Sequence, residues 1–108
     1  MNAISKVSDI TYSDIADYIR LSEVTTDDQN TLEALLSVAK SFIVNYTGQT
    51  QEALDDFPDF VIVVLILCQD MWDNRALYVD KSNLNKVVDT ILGMHSVNLL
   101  PEVEASND

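Results

Sequence analysis

Glycine, proline, cysteine and histidine are scarce in this chain, and each shortage excludes a class of protein. Two glycines and two prolines among 108 residues disfavour a turn-rich β architecture, and so few glycines leave no room for a glycine-rich phosphate loop. One cysteine excludes an internal disulfide. One histidine, His95, excludes a metal site built on a histidine pair. We therefore expect no metal and no cofactor.

Basic residues are also few. Six Lys and Arg face eighteen Asp and Glu, for a formal net charge of −12. Phosphate backbones repel such a chain, so specific binding to nucleic acid is not expected, and anionic membranes are disfavoured in the same way. Acidic helix faces in solvent are the plain explanation of the charge, and a charge that repels or mimics DNA is the alternative. Residues 1–6 lack the apolar core of a signal peptide, which favours a cytoplasmic origin.

Long apolar runs are limited to one, at residues 60–68. Nine residues are less than half of the ~20 that a bilayer-spanning helix needs. A segment without a polar face must be covered by protein on all sides, so we predict a buried central helix in a single domain of 108 residues. Pro58 suits its first position, and the apolar spacing of Val61, Leu65, Cys68 and Trp72 extends the helix to about Leu77.

A second long helix is predicted from Thr26 to Thr47. Thr26 and Gln29 have the spacing of a capping box, Asp27 and Asp28 suit the positive end of the helix dipole, and Gly48 suits the position after the last turn.

Two shorter helices complete the prediction. Thr11 and Asp14 have capping-box spacing for a helix that ends near Arg20, and Ser82 is the expected cap of a helix that ends near Gly93. The fold class is therefore all-α, a small bundle of about four helices, two long and two short. Residues 1–10 are expected to form a flexible lead-in and residues 95–108 an extended tail.

No residue pattern indicates catalysis, and we expect the protein not to be an enzyme. Cys68 lies inside the apolar run and is expected to be an inert hydrophobe. The acidic pairs at 27–28 and 55–56 precede helices, where capping explains them. Arg75 leaves two interpretations open. It either closes the buried helix through a local salt bridge and the helix dipole, or it binds carboxylates of a neighbouring subunit through bidentate contacts.

Several short motifs follow one another in a characteristic order. They are Tyr18-Ile19-Arg20-Leu21, Asp27-Asp28, Leu35-Leu36 with Ala39-Lys40, Tyr46-Thr47-Gly48 and, after the Pro58 helix, Asp73-Asn74-Arg75. Over residues 10–100 this order resembles the head–tail connector (adaptor) proteins of tailed bacteriophages and prophages. Trp72 and Asp73 stand where that family has an acidic or aromatic residue before Asn-Arg, and the last residues match no motif of the family.

The resemblance implies a structural virion protein at the neck, assembled in the bacterial host cytoplasm. Its relatives form a homo-oligomeric ring, commonly of twelve subunits, that docks on the portal protein. The ring extends the DNA channel, through which DNA passes without specific binding, and it offers a face to the next neck or tail-completion protein. Arg20 and Arg75 match the family's two recurrent arginines. The residues expected at subunit or partner interfaces are Arg20, Trp72, Asp73, Arg75, His95, Val97, Leu99 and Leu100.

A competing hypothesis belongs to a different class of function. The chain could be an acidic DNA mimic that inhibits a nucleic-acid-binding protein. Such a mimic needs carboxylates spaced along one exposed face like phosphates, whereas many acids here stand at predicted helix starts.

Overall fold

The structure, a computed structural model, describes residues 4–97, and within them the chain is all-α. Four helices run through this part of the chain: α1 (Tyr12–Tyr18), α2 (Thr26–Thr47), α3 (Phe60–Asp73) and α4 (Lys86–Met94). Three short 3-10 turns lie between or before them, at Val7–Asp9, Glu52–Asp56 and Lys81–Asn83. The predicted bundle of two long and two short helices is confirmed. The predicted extended tail falls mostly on residues 98–108, outside the described residues.

The N-terminus of α2 is capped one residue earlier than the sequence suggested. The Thr25 hydroxyl accepts the N–H of Asp28 at 3.0 Å, and the Asp28 carboxylate accepts the N–H of Thr25 at 3.1 Å. The predicted pairing of Thr26 with Gln29 is therefore wrong. Both registers have the required spacing, but only the observed one places a carboxylate, which forms stronger charge-assisted bonds, at the positive end of the helix. At the other end Gly48 takes the left-handed conformation with φ 76°, as predicted.

Helix α3 lies at the centre of the bundle and contacts α1, α2 and α4. Eight of its fourteen residues are buried. The prediction that protein covers α3 on all sides is wrong along one stripe, where Ile62 is 37% exposed and Ile66 is half-buried. Three helical neighbours cover most of the circumference of α3 and leave this side open.

Both predicted boundaries of the central helix were too wide. Pro58 lies in the turn before α3 rather than at its first position, and the helix ends at Asp73 rather than Leu77. The spacing of apolar residues does not indicate where a helix ends. Here the backbone leaves the helical conformation at Arg75.

Helix α4 is capped by Asn85, whose side chain accepts the N–H groups of Val87 and Val88. The predicted cap Ser82 instead lies in a 3-10 turn closed by Asp80, which accepts the Ser82 N–H. Ser82 and Asn85 are both residue types that cap helices. Asn85 lies nearer to the apolar residues of α4, and it caps that helix.

Polar contacts then fix α4 against the rest of the bundle. The Tyr46 hydroxyl donates to Asp89 at 2.6 Å, and the hydrogen bond to this carboxylate raises the pKa of Tyr46. At the far end of α4, the Gln49 side chain donates to the His95 carbonyl at 2.8 Å. Among residues 4–97, no helix combines the length and the apolar character needed to cross a bilayer.

Candidate functional site

Two helices of this protein end on an arginine in the left-handed backbone region. Arg20 has φ 64° and follows α1, and Arg75 has φ 55° and follows α3. In α1 the Leu21 N–H donates to the Ala16 carbonyl at 2.9 Å, and the Arg20 N–H donates to Asp17 at 3.2 Å. This pair of bonds is a Schellman motif, in which the left-handed position is usually glycine.

The end of α3 repeats the motif with the same spacing. The Ala76 N–H donates to the Met71 carbonyl at 3.0 Å, and the Arg75 N–H donates to Trp72 at 3.3 Å. Residues with a Cβ are disfavoured in this region by ~1–2 kcal/mol. The chain therefore holds an arginine with a strained backbone at both positions where glycine would be easier to accommodate.

Neither arginine forms an ion pair within the part of the chain that the structure describes, where the one close contact between a possible cation and a carboxylate joins the His95 ring to Asp59. Both arginines are exposed. The interpretation in which Arg75 closes α3 through a local salt bridge is therefore not supported among residues 4–97. Its guanidinium is available for a contact outside the subunit.

Arg75 borders a groove between the first half of α2 and the end of α3. The groove has a volume of about 460 Å³. Its floor and walls are largely apolar, from the buried Leu35 and Met71 to the half-buried Trp72 and the 61% exposed Leu77, with Asp28 at the edge. We call this feature the Arg75 groove. Volumes of ~300–1,000 Å³ are typical of binding clefts.

The connector at residues 76–79 shapes the surface around this groove. It also borders a cavity of about 400 Å³ beside Asp70 and Asn83 and a shallow one of about 310 Å³ over Phe42. Leu77 and Tyr78 on this connector are 61% and 67% exposed. Large apolar side chains this exposed, next to a groove, are characteristic of contact surfaces.

The acidic residues of α3 add charge to the same end of the bundle. Asp73 is exposed, and partial burial together with the charge of Asp73 raises the pKa of Asp70. Arg20 precedes the cap of α2 by five residues and does not line the Arg75 groove. Trp72, Asp73 and Arg75 thus lie together at the end of α3.

His95 lies at the opposite end, where α3 begins. Its Nε2 is 2.9 Å from Asp59 Oδ2, its ring centroid is 4.4 Å from that of Phe57 with the two planes tilted by 42°, and it meets Phe60 edge-on at 5.2 Å. These contacts give His95 a structural role within the bundle.

Val97, the last described residue, lies near the same end. The Val97 N–H donates to the Thr47 carbonyl at 2.6 Å, at the end of α2. The interface assignments of Val97 and His95 stay predictions, and Leu99 and Leu100 lie outside the described residues. The residues predicted at interfaces thus divide between two ends of the bundle and do not form a single site.

The sequence did not lead us to expect Asp28 and Leu77 in this groove. Asp28 was assigned only to capping, and Leu77 was placed inside the helix. The available signal was the pair Leu77-Tyr78 directly after Arg75, because a helix that stops at Asn74 leaves two large apolar side chains in a connector.

No group of three or more His, Cys, Asp or Glu side chains within residues 4–97 is placed to hold a metal ion. Cys68 is fully buried, and burial raises the pKa of its thiol to about 12, so the thiolate needed for nucleophilic attack is not populated at neutral pH.

No protein-family model, curated protein or solved structure matches this chain.

Proposed function

We propose that this protein is a head–tail connector of a tailed bacteriophage or prophage, a structural subunit without enzymatic activity. In this proposal identical subunits, twelve as is common in the family, form a ring on the portal protein. The ring extends the DNA channel and presents a face to the next neck or tail-completion protein. The order of the sequence motifs from Tyr18 to Arg75 supports the assignment to this family.

The observation that carries the proposal is the unpaired Arg75 beside Trp72. The chain has three times as many acidic as basic side chains, and yet this arginine has no carboxylate partner within residues 4–97. Arginine and tryptophan are the residue types most enriched among those that supply binding energy at interfaces. Copies with a net charge of −12 repel one another, so a contact between them requires a cation placed against acids.

The acidic side chains also bear on the alternative of a DNA mimic. Several of them accept hydrogen bonds inside the subunit instead of forming a free row of charges: Asp14, Asp28, Asp55, Asp59, Asp80 and Asp89. Asp55, for example, accepts both the backbone N–H and the hydroxyl of Ser8, which lowers the pKa of its carboxyl. Carboxylates committed to caps and cross-links favour a structural subunit over a phosphate mimic.

The test is electron microscopy of the purified protein mixed with the portal protein encoded in the same genome. We expect rings of the wild-type protein stacked on the portal. Arg75→Glu should abolish or strongly reduce stacking, whereas Lys86→Glu makes the same charge change at an exposed residue of α4 that does not line the groove, and should leave stacking intact.

Two results would contradict the proposal. One is a wild-type protein that forms no ring with the portal. The other is tight binding to a basic nucleic-acid-binding protein in competition with duplex DNA, which is what a DNA mimic would show.

A further inference from the structure

The Arg75 groove has the chemistry to bind an acidic, leucine-bearing peptide. Its walls are apolar at Leu35, Met71, Trp72 and Leu77, and Arg75 places a positive charge at its border. An extended peptide that inserts apolar side chains here and places a carboxylate near Arg75 would satisfy both features, because charge-assisted contacts of arginine with carboxylates are the stronger class of hydrogen bond.

The chain itself contains such a peptide. Residues 98–108 include the adjacent pair Leu99-Leu100, then Glu102 and Glu104 on either side of Val103. They contain no Lys or Arg. The order of two leucines followed by two glutamates matches a groove with an apolar floor and Arg75 as the one cation of its lining, with Asp28 as the other charged residue.

The path of the chain bears on which groove this peptide enters. Val97 is bonded to Thr47 at the C-terminal end of α2. Leu35 in the groove lies twelve residues back along α2, which is ~18 Å at the helical rise, whereas the backbone from Val97 to Leu100 extends at most ~10 Å. In its own subunit the tail would have to be fully extended for its leucine side chains to approach Leu35, so we assign the tail to the groove of another subunit.

We propose that the Arg75 groove binds residues 98–108 of a second copy of this chain, with Leu99 and Leu100 against its apolar wall and Glu102 or Glu104 on Arg75. The inference rests on the self-assembly that the proposed function requires, and it names the contact between neighbouring subunits. It also accounts for the strained backbone of Arg75, because the position is retained for the guanidinium rather than for the helix end.

A contact in which the tail of one subunit enters the groove of the next leaves one free groove and one free tail on the pair. Such a head-to-tail contact propagates until the rotation between subunits closes a ring, which is the assembly that the proposed function requires. Two subunits that exchange both tails would instead form a symmetric dimer, and a wild-type protein that is only dimeric in sedimentation velocity would refute the head-to-tail contact.

Trp72 provides a direct measurement, since it is the single tryptophan of the chain and borders the groove. A synthetic peptide of residues 97–108 is titrated into the full-length protein and the Trp72 emission is followed. We expect saturable binding, weakened roughly tenfold or more by Arg75→Glu, as loss of a charge-assisted contact implies.

A peptide carrying Glu102→Lys and Glu104→Lys is the matched probe. It should bind the Arg75→Glu protein better than it binds the wild-type protein. Lys86→Glu is the protein control and should leave binding of the natural peptide unchanged. Far-ultraviolet circular dichroism checks that each variant is folded.

Mixing two full-length variants then separates binding between subunits from binding within one. Arg75→Glu breaks the groove and leaves the tail intact, whereas the double variant Leu99→Asp, Leu100→Asp breaks the tail and leaves the groove intact. Each alone should be monomeric. Their mixture should form a one-to-one complex and nothing larger, as measured by sedimentation velocity.

The possible failures have different meanings. If neither the peptide nor the mixture shows binding while the wild-type protein still stacks as rings on the portal, the tail contact is refuted and the proposed function stands. If the peptide binds only to the tail-broken variant, the groove is filled by its own tail and the contact between subunits is refuted. If the wild-type protein forms no ring with the portal, the proposed function fails, whatever the peptide does.

Discussion

Replacing the left-handed arginines by glycine should stabilise the fold while it damages the contact surface. Between residues 4 and 97, three residues have φ between 55° and 76°, each after the end of a helix, namely Arg20, Gly48 and Arg75. One already carries glycine. The other two carry a Cβ that crowds the following carbonyl oxygen.

The magnitude follows from two opposing terms. Relief of the left-handed strain stabilises the folded state by ~1–2 kcal/mol at each arginine. Glycine gives the unfolded chain more conformational freedom, which offsets ~0.5–1 kcal/mol of that gain. Arg75→Gly and Arg20→Gly should thus each raise the free energy of unfolding by roughly 0.5–1 kcal/mol. Because the two residues follow different helices, the double variant should show nearly the sum.

Urea unfolding followed by Trp72 fluorescence and by circular dichroism gives this free energy. With a urea dependence of ~1–3 kcal/mol per molar, each glycine variant should shift the midpoint upward by a few tenths of a molar. Gly48→Ala is the reciprocal measurement, because it places a Cβ at φ 76°. It should lower the free energy of unfolding by about 1 kcal/mol.

Arg75→Ala separates the backbone effect from the charge effect. It removes the guanidinium but keeps a Cβ in the left-handed region, so its stability should stay within ~0.5 kcal/mol of the wild type. The reasoning is refuted if alanine stabilises as much as glycine, or if Gly48→Ala is neutral. We further expect Arg75→Gly to be more stable and yet defective in ring assembly, since strain retained at a functional site is relieved at the expense of function.

Three further outcomes follow from buried or partly buried polar groups. Thr47 is fully buried and its hydroxyl donates to the Ile43 carbonyl at 2.7 Å, so Thr47→Val should lower the free energy of unfolding by ~1–2 kcal/mol in urea titrations. Cys68, with its raised thiol pKa, should resist a thiol reagent at pH 8 and react only once urea unfolds the protein; rapid labelling of the native protein would contradict its burial. Burial and the charge of Asp73 raise the pKa of Asp70, so ionisation of Asp70 opposes folding. Asp70→Asn should therefore have a higher free energy of unfolding than the wild type at pH 7. This difference should disappear as the pH falls below the ordinary carboxyl pKa of 3.8, because Asp70 is then protonated in both the folded and the unfolded state.

The fold class could be predicted from the sequence because helical periodicity and capping chemistry are local. The stripe from Leu32 through Ile43 and the terminal Gly48 define α2 almost to the residue. Errors occurred where two local solutions competed, as at Thr25 against Thr26 and at Asn85 against Ser82. In both cases the spacing was right, and the choice depended on which residue the packed helix presented to its first backbone N–H groups.

The end of α3 is a different kind of error. The predicted helix ran past Asp73 to about Leu77, although the Leu77 side chain lines a groove rather than the core. Periodicity reports which side chains are apolar, and it does not report where the backbone turns left-handed. Arginine is also a poor signal for such a turn, because glycine is the usual residue there.

The sequence by itself determined the all-α class, the position of each helix to within a few residues, the acidic charge and the unreactive setting of Cys68, since each depends on composition or on residues close along the chain. Only the tertiary structure decided that Arg20 and Arg75 share one strained backbone motif, that α2 and α3 enclose a groove beside Arg75, and that Val97 is bonded to Thr47 at the C-terminal end of α2. These facts depend on the relative placement of residues some forty to seventy positions apart, and no local pattern encodes a distance of that kind.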